Sequence, residues 1–145
     1  MNLCYSPSAK ELTGKMAFSD DHGRISMLLG QSAEMKYILQ FIGNFPSQDY
    51  YDLTDELVRL KLPGTFAEPE TLSELKLSLN TITDIIRFLQ KLEQPDYPFL
   101  TALTPAGYPD PEIIRMIDSI IDDKSEIRDR ASDKLSGIRS NIQTR

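Results

Sequence analysis

The side chains in this sequence that could do chemistry are few and far apart. His22 is the single histidine, in the stretch SDDHGR. It has no second histidine, no H-x-x-x-H spacing and no cysteine cluster, so the ligands a zinc ion needs are missing. It reads as a solvated residue at a helix start. Cys4 is the only cysteine. It cannot close an internal disulfide, and no histidine stands near it to activate it, so it reads as a bystander thiol. Asp20-Asp21 and Asp122-Asp123 are carboxylate pairs of the kind that hold a divalent cation or divide acid and base roles. Both fall at expected helix boundaries, where carboxylates cap backbone N–H groups or stay solvated. The turn Leu62-Pro63-Gly64-Thr65 is not a phosphate loop, because the pattern G-x-x-x-x-G-K-[ST] occurs nowhere. Tyr50, Tyr51, Tyr97 and Phe99 could stack on bases. Nucleic-acid platforms set their aromatics in a positive groove, however, and few basic residues lie near these four, so they read as the edge of a core. The residues predict no catalytic group, no cofactor-binding residue and no metal ligand. They point to a helical scaffold or interaction module.

Charge supports that reading. The 145-residue chain has 16 Lys and Arg against 22 Asp and Glu, for a net charge of −6, and its pI is about 4.8. Tight non-specific binding of nucleic acid rests on phosphate neutralisation and is not expected of such a chain as a whole. The charge is uneven, though. Arg128, Arg130, Lys134, Arg139 and Arg145 stand against Glu126, Asp129 and Asp133, which leaves residues 126–145 at +2 and the rest at −8. With 40% hydrophobic residues, the chain suits one globular domain, which at this size buries roughly 68–70% of its unfolded surface. There is no apolar run of ~18 residues to span a membrane, and MNLCYSPSAK lacks the apolar stretch of a secretory leader. A cytoplasmic protein without a membrane partner is expected.

The elements that must position these side chains are all helical. Apolar residues recur at three and four rather than at two. A short helix is expected over 7–17, weakened by Gly14. A longer one follows a Ser19 or Asp20 cap, with Ile25, Leu28, Met35, Leu39 and Ile42 on one seam, and stops at Gly43-Asn44 and Pro46. A short helix is expected at about 53–61, and Pro63-Gly64 is a turn signal. Then comes a long helix of about 24 residues from Pro69 at its first turn, about 36 Å in length. Its stripe of Leu72, Leu75, Leu79, Ile82, Ile86 and Leu89 lies beside a second stripe of Ile85, Phe88 and Leu92. A helix apolar on two sides packs on two sides, so this one should be central. A short helix at about 97–104 precedes a helix that starts at Asp110-Pro111-Glu112, with Ile113, Ile114, Ile117, Ile120 and Ile121 on its apolar face. The expectation is an all-α bundle of four or five main helices in a single domain, residues 1–145.

The last stretch, DRASDKLSGIRSNIQTR, begins a helix and does not end one. Ser132 can cap it, and Leu135, Ile138 and Ile142 share a face. No Gly or Asn cap and no Pro follows.

Several stretches, in order, resemble the N-terminal helical region of the second bacterial MutS paralogue family, the MutS-Smr proteins. They are FSDDHGRISMLLGQSAEM, NFPSQDYYDLTDELVRLKLPGTFAEPETLSELKLSL, IRFLQ and MIDSIIDDKSEIRDRASDKLSGIR. The most specific is the last, through Ile117-Asp118, Glu126-Ile127, Asp129, Ala131-Ser132, Leu135 and Ile138-Arg139. Gln31, Glu34 and Met35 match the family's Gln/Thr-x-Glu-hydrophobic segment. The resemblance covers roughly residues 4–145.

The resemblance implies the first part of a helical core, or lever, domain in a DNA mismatch-repair or recombination-control ATPase. Residues 126–145 would begin a long lever helix toward a DNA clamp, continuing past Arg145, and Lys134, Arg139 and Arg145 would be its DNA-proximal residues. Such proteins dimerise, use ATP and Mg, bind branched or mismatched DNA, and often carry an Smr endonuclease domain. Some are linked to rescue of collided ribosomes. The core domain transmits motion and is not catalytic. Here the expected partners are the clamp and ATPase domains of a longer parent, DNA through that parent, and a second copy. Any ATPase or nuclease activity would belong to that parent, since no Walker motif and no Smr segment occurs in this sequence. Two alternatives remain at this point: a standalone helical adaptor or regulator acting through protein–protein contacts, and a direct DNA-binding module using the basic tail.

Overall fold

A computed structural model describes residues 4, 6–92, 96–104, 107–132 and 134–138. Among them the architecture is all-α, and the only strand-like feature is one antiparallel bridge between Ile121 and Ile127. The elements are α1 (Pro7–Gly14), α2 (His22–Tyr37), α3 (Thr54–Arg59), α4 (Pro69–Lys91), α5 (Pro98–Thr101) and α6 (Pro111–Ile120). A helical segment over 134–138 follows. None of the described helices is long and apolar enough to cross a membrane.

Local chemistry explains most of the boundaries. Ser6 caps α1 by accepting from Ala9 N–H at 3.1 Å. Asp21, rather than Ser19 or Asp20, caps α2 by accepting from Arg24 N–H at 3.1 Å. Asp110 caps α6 through Glu112 N–H at 2.9 Å, with Pro111 in the first turn, because Pro has no N–H to leave orphaned there. α2 runs on into one wider turn, Ile38–Ile42, closed by Gly43 N–H donating to Ile38 C=O five residues back at 2.8 Å. Gly43 (φ +70°) and Asn44 (φ +52°) then turn the chain away, a left-handed conformation that Gly and Asn tolerate best.

The chain groups into two compact units. One comprises Met1–Gln48 and Thr81–Tyr108. Its core is Ile38, Leu89 and Leu100, surrounded by Met35, Phe45, Ile85, Phe88, Leu92 and Tyr97. Phe45 and Phe88 meet edge to face, 5.5 Å between centroids. The buried face of α2 differs from the expected seam. Ile25, Leu28, Leu39 and Ile42 are exposed. The covered residues are instead Gly30, Gln31, Glu34, Met35 and Ile38, a face whose small and polar members carry no hydrophobic signal.

The other unit comprises Asp49–Asn80 and Pro109–Arg145. Leu53, Ile117 and Ile121 are its buried apolar residues. Ser78, on α4, is buried too, and its hydroxyl serves the Tyr51 backbone, accepting from N–H at 2.9 Å and donating to C=O at 3.3 Å. The boundary between the units falls inside α4, between Asn80 and Thr81, so the long helix contributes residues to both.

The segment expected to be helical from 126 is helical only from 134. Ile127 pairs with Ile121 in the bridge, and Asp129–Ala131 form one tight 3₁₀ turn. Their backbone groups are committed before a helix can begin. Ser132 then caps the last helix as its sequence predicts, accepting from Leu135 N–H at 3.2 Å.

Candidate functional site

A dense set of polar contacts lies where α6 gives way to the last helix. α6 ends as Ile121 turns extended. The chain reverses through a loop in which Asp122 N–H donates to Glu126 C=O at 2.9 Å. One Asp122 oxygen accepts from both Lys124 N–H and Glu126 N–H, each at 2.9 Å. Ser125 takes φ +63° at the tip. Arg128 then returns to α6. Its Nε donates to Asp118 C=O at 2.8 Å and Ile121 C=O at 2.7 Å, and its backbone N–H donates to Ile120 C=O at 2.8 Å. Helix C-termini leave carbonyls unpaired and favour positive charge, and Arg128 answers both. On the other flank the Asp118 carboxylate pairs with Lys76 of α4 at 2.5 Å.

The two N–H bonds, Glu126 first and then Lys124, hold the Asp122 carboxyl below its usual 3.8, with the Arg128 charge adding to the effect. A depressed carboxylate pKa stabilises the fold above the unfolded value and loses that contribution as pH falls through the folded one. Amide exchange should therefore find Lys124 and Glu126 N–H protected near neutrality and released in acid below the usual carboxylate range. In Asp122→Asn this acid release should disappear. Unchanged acid release in that variant would remove Asp122 as its cause.

A second organised site joins α2 to α5. Glu34 spans 65 and 66 residues of sequence to accept from Phe99 N–H at 3.1 Å and Leu100 N–H at 2.7 Å. The first N–H groups of α5 have no partner within the helix, and a carboxylate from α2 supplies one. The approach is close: a Cβ on Gly30 would meet the Phe99 ring at 2.4–2.7 Å. Glu34→Ala should cost about 1–2 kcal/mol, as for loss of a capping acceptor, with Glu34→Gln losing less because it keeps one oxygen. Urea denaturation measures this, and an unchanged midpoint in Glu34→Ala would show that water replaces the carboxylate freely.

The other sequence candidates are separate and ordinary. His22 is exposed in the first turn of α2. Cys4 is a free thiol whose Sγ lies 3.5 Å from Thr13 Oγ1. Tyr97 packs at the core edge, 6.3 Å from Tyr37 between ring centroids, and Tyr50 and Tyr51 are exposed. Among the described residues no three His, Cys, Asp or Glu side chains come together in a way that could hold a metal ion. Lys134 is exposed on the last helix, while Arg139 and Arg145 lie outside the described residues. Sequence reasoning missed two roles, that of Arg128 and that of Glu34 as a cap, although the family motifs ran through both neighbourhoods.

Fold and sites together define an all-helical chain whose most organised polar side chains hold backbone. No family model matches it, and no solved structure does. It is similar to the protein named Endonuclease MutS2 in several bacteria. The match is 27% identical over 146 residues in Geobacillus sp. (strain WCH70), covering 96% of this chain and 18% of that protein. In Clostridium botulinum (strain Eklund 17B / Type B) it is 31% identical over 140 residues, covering 96% and 18%. In Alkaliphilus metalliredigens (strain QYMF) it is 27% identical over 143 residues, covering 98% and 18%. The chain is thus MutS2-like along nearly all its length, as its motifs imply, and spans 18% of the length of these curated relatives.

Proposed function

We propose that this chain is a core, or lever, element of a MutS2-like DNA-processing protein, transmitting motion rather than catalysing. The reaction chemistry, ATP turnover and DNA cleavage, would reside in the remainder of such a parent, which would bind branched or mismatched DNA. The observation that carries this reading is the match itself: nearly the whole chain aligns with 18% of proteins named endonucleases. The joint at Arg128 supports it, because a transmitting element needs stiff connections between helices.

The test is a chimera in which the matched segment of the Clostridium botulinum relative is replaced by residues 4–145. The isolated chain should neither hydrolyse ATP nor cut DNA, and the chimera should couple ATP hydrolysis to branched DNA. Catalysis by the isolated chain overturns the reading, as does a folded chimera whose hydrolysis ignores DNA. DNA binding by the isolated chain that falls steeply between about 50 and about 200 mM salt would instead favour a direct phosphate-binding role.

A standalone adaptor is the second reading. It draws on the exposed apolar side chains of Met16, Phe18, Leu29 and Phe41, which a protein partner would cover. Native mass measurement in lysate separates the two, since a free 16.5 kDa species belongs to the adaptor.

A further inference from the structure

We infer that Arg128 is the positioning residue of the joint: its clamp on the end of α6 fixes the direction in which the last helix departs. The inference deepens the transmitting role proposed above and rests on it for its biological meaning. Its structural content stands on geometry alone. Side chain and backbone of this one residue take the carbonyls of Asp118, Ile120 and Ile121, so the α6 terminus is closed by a residue from the outgoing chain rather than by water. From Arg128 to the cap of the last helix there is no slack. Ala131 N–H donates to Arg128 C=O at 3.0 Å, closing the 3₁₀ turn, and the next residue, Ser132, is already the cap. The incoming side is held as well, since Asp122 pins the loop that brings Arg128 back. Asp118, whose carbonyl Arg128 takes, offers its carboxylate to Lys76 of α4. A displacement of the last helix is therefore delivered to α6, and through that ion pair to α4.

Arginine suits the position for a stated reason. A guanidinium is a flat, rigid fork of donors, whereas lysine is a point charge on a flexible stem. One Nε–H held between two carbonyls orients the whole fork. Lysine could neutralise the helix end but could not fix an angle. This separates positioning from simple capping, which either cation would satisfy.

The experiment uses the full 145-residue chain with Cys4→Ser and spin labels on Glu112→Cys and Ser136→Cys, both exposed. Pulsed electron–electron resonance then reads the distance distribution between α6 and the last helix. The chain with Arg128 intact should give one narrow distribution. Arg128→Ala should widen it at least roughly twofold, because a helix end with orphaned carbonyls frays. Arg128→Lys should widen it also, while circular dichroism shows the helices retained. If Arg128→Ala fails to fold, the Lys variant decides alone. A broad distribution with Arg128 intact overturns the inference, and so does an unchanged width in the folded Lys variant. The two failures are distinguishable. A narrow distribution together with an uncoupled chimera sinks the transmitting role and leaves the joint standing. A broad one sinks the joint whatever the chimera does.

Discussion

Ile38→Ala is expected to lower the unfolding free energy by about 2–5 kcal/mol, the range for truncating a fully buried aliphatic side chain. Ile38 has 0% exposure and packs with Leu89 and Leu100. Its carbonyl also accepts the Gly43 N–H that closes the wide turn after α2. The loss combines the transfer energy of the removed methylenes with the cavity they leave, and neighbours on α4 and α5 can refill that space only in part. Sequence pattern alone points instead to Leu79 or Ile82, in the stripe along α4. Both are only half-buried, so their truncation should cost less than that of Ile38. Urea denaturation followed by far-ultraviolet circular dichroism orders the three. Ile82 shares a unit with Ile38, so if Ile82→Ala costs more than Ile38→Ala, the core of that unit is misassigned.

What was legible in the sequence was local. The cap at Asp110 acts over two residues, and the stop at Gly43-Asn44 needs only its own dihedrals, whereas the cap of α2 falls on Asp21, just past the expected Ser19 or Asp20. The 23-residue α4 follows from unbroken helical spacing. What failed to show was long-range or polar. The covered face of α2 runs through Gly30 and Glu34 because α5 comes close enough to exclude a Cβ and offers two N–H groups to a carboxylate. No hydropathy count rewards either residue. On α4 the polar Ser78 is buried because a distant stretch of backbone needs its hydroxyl. Thr81, likewise buried, donates its hydroxyl to Gln48 C=O at 2.7 Å. Arg128 counted as one positive charge on a basic tail, yet its guanidinium Nε is spent on α6 carbonyls ten and seven residues back. The resemblance to MutS-like proteins marked Glu34 and the 117–139 stretch without saying what the side chains do. The structure supplies the missing step: in both places a charged side chain closes a helix end that its own helix cannot.

The apolar face of α6 separates pattern from packing most sharply. By spacing alone Ile113, Ile114, Ile117, Ile120 and Ile121 share one face, yet Ile117 and Ile121 are 4% and 2% exposed while Ile113 and Ile120 are each 37% exposed. Burial follows the four-residue step from 117 to 121 because the chain reverses there and Ile127 is bridged to Ile121. Ile121→Ala should therefore cost about 2–5 kcal/mol, whereas Ile120→Ala should cost about 1 kcal/mol or less, as expected where a side chain is already partly hydrated. The first variant should have a second consequence. The Ile121 carbonyl is one of the two that orient Arg128, so a cavity beside it should loosen the returning strand. Arg128 N–H, bonded to Ile120 C=O, should then exchange faster in Ile121→Ala than global destabilisation explains, and no faster than that in Ile120→Ala. Equal losses for the two variants would mean that the face is set by spacing after all. A large loss at 121 without faster exchange at Arg128 would mean that the core and the joint are energetically separate.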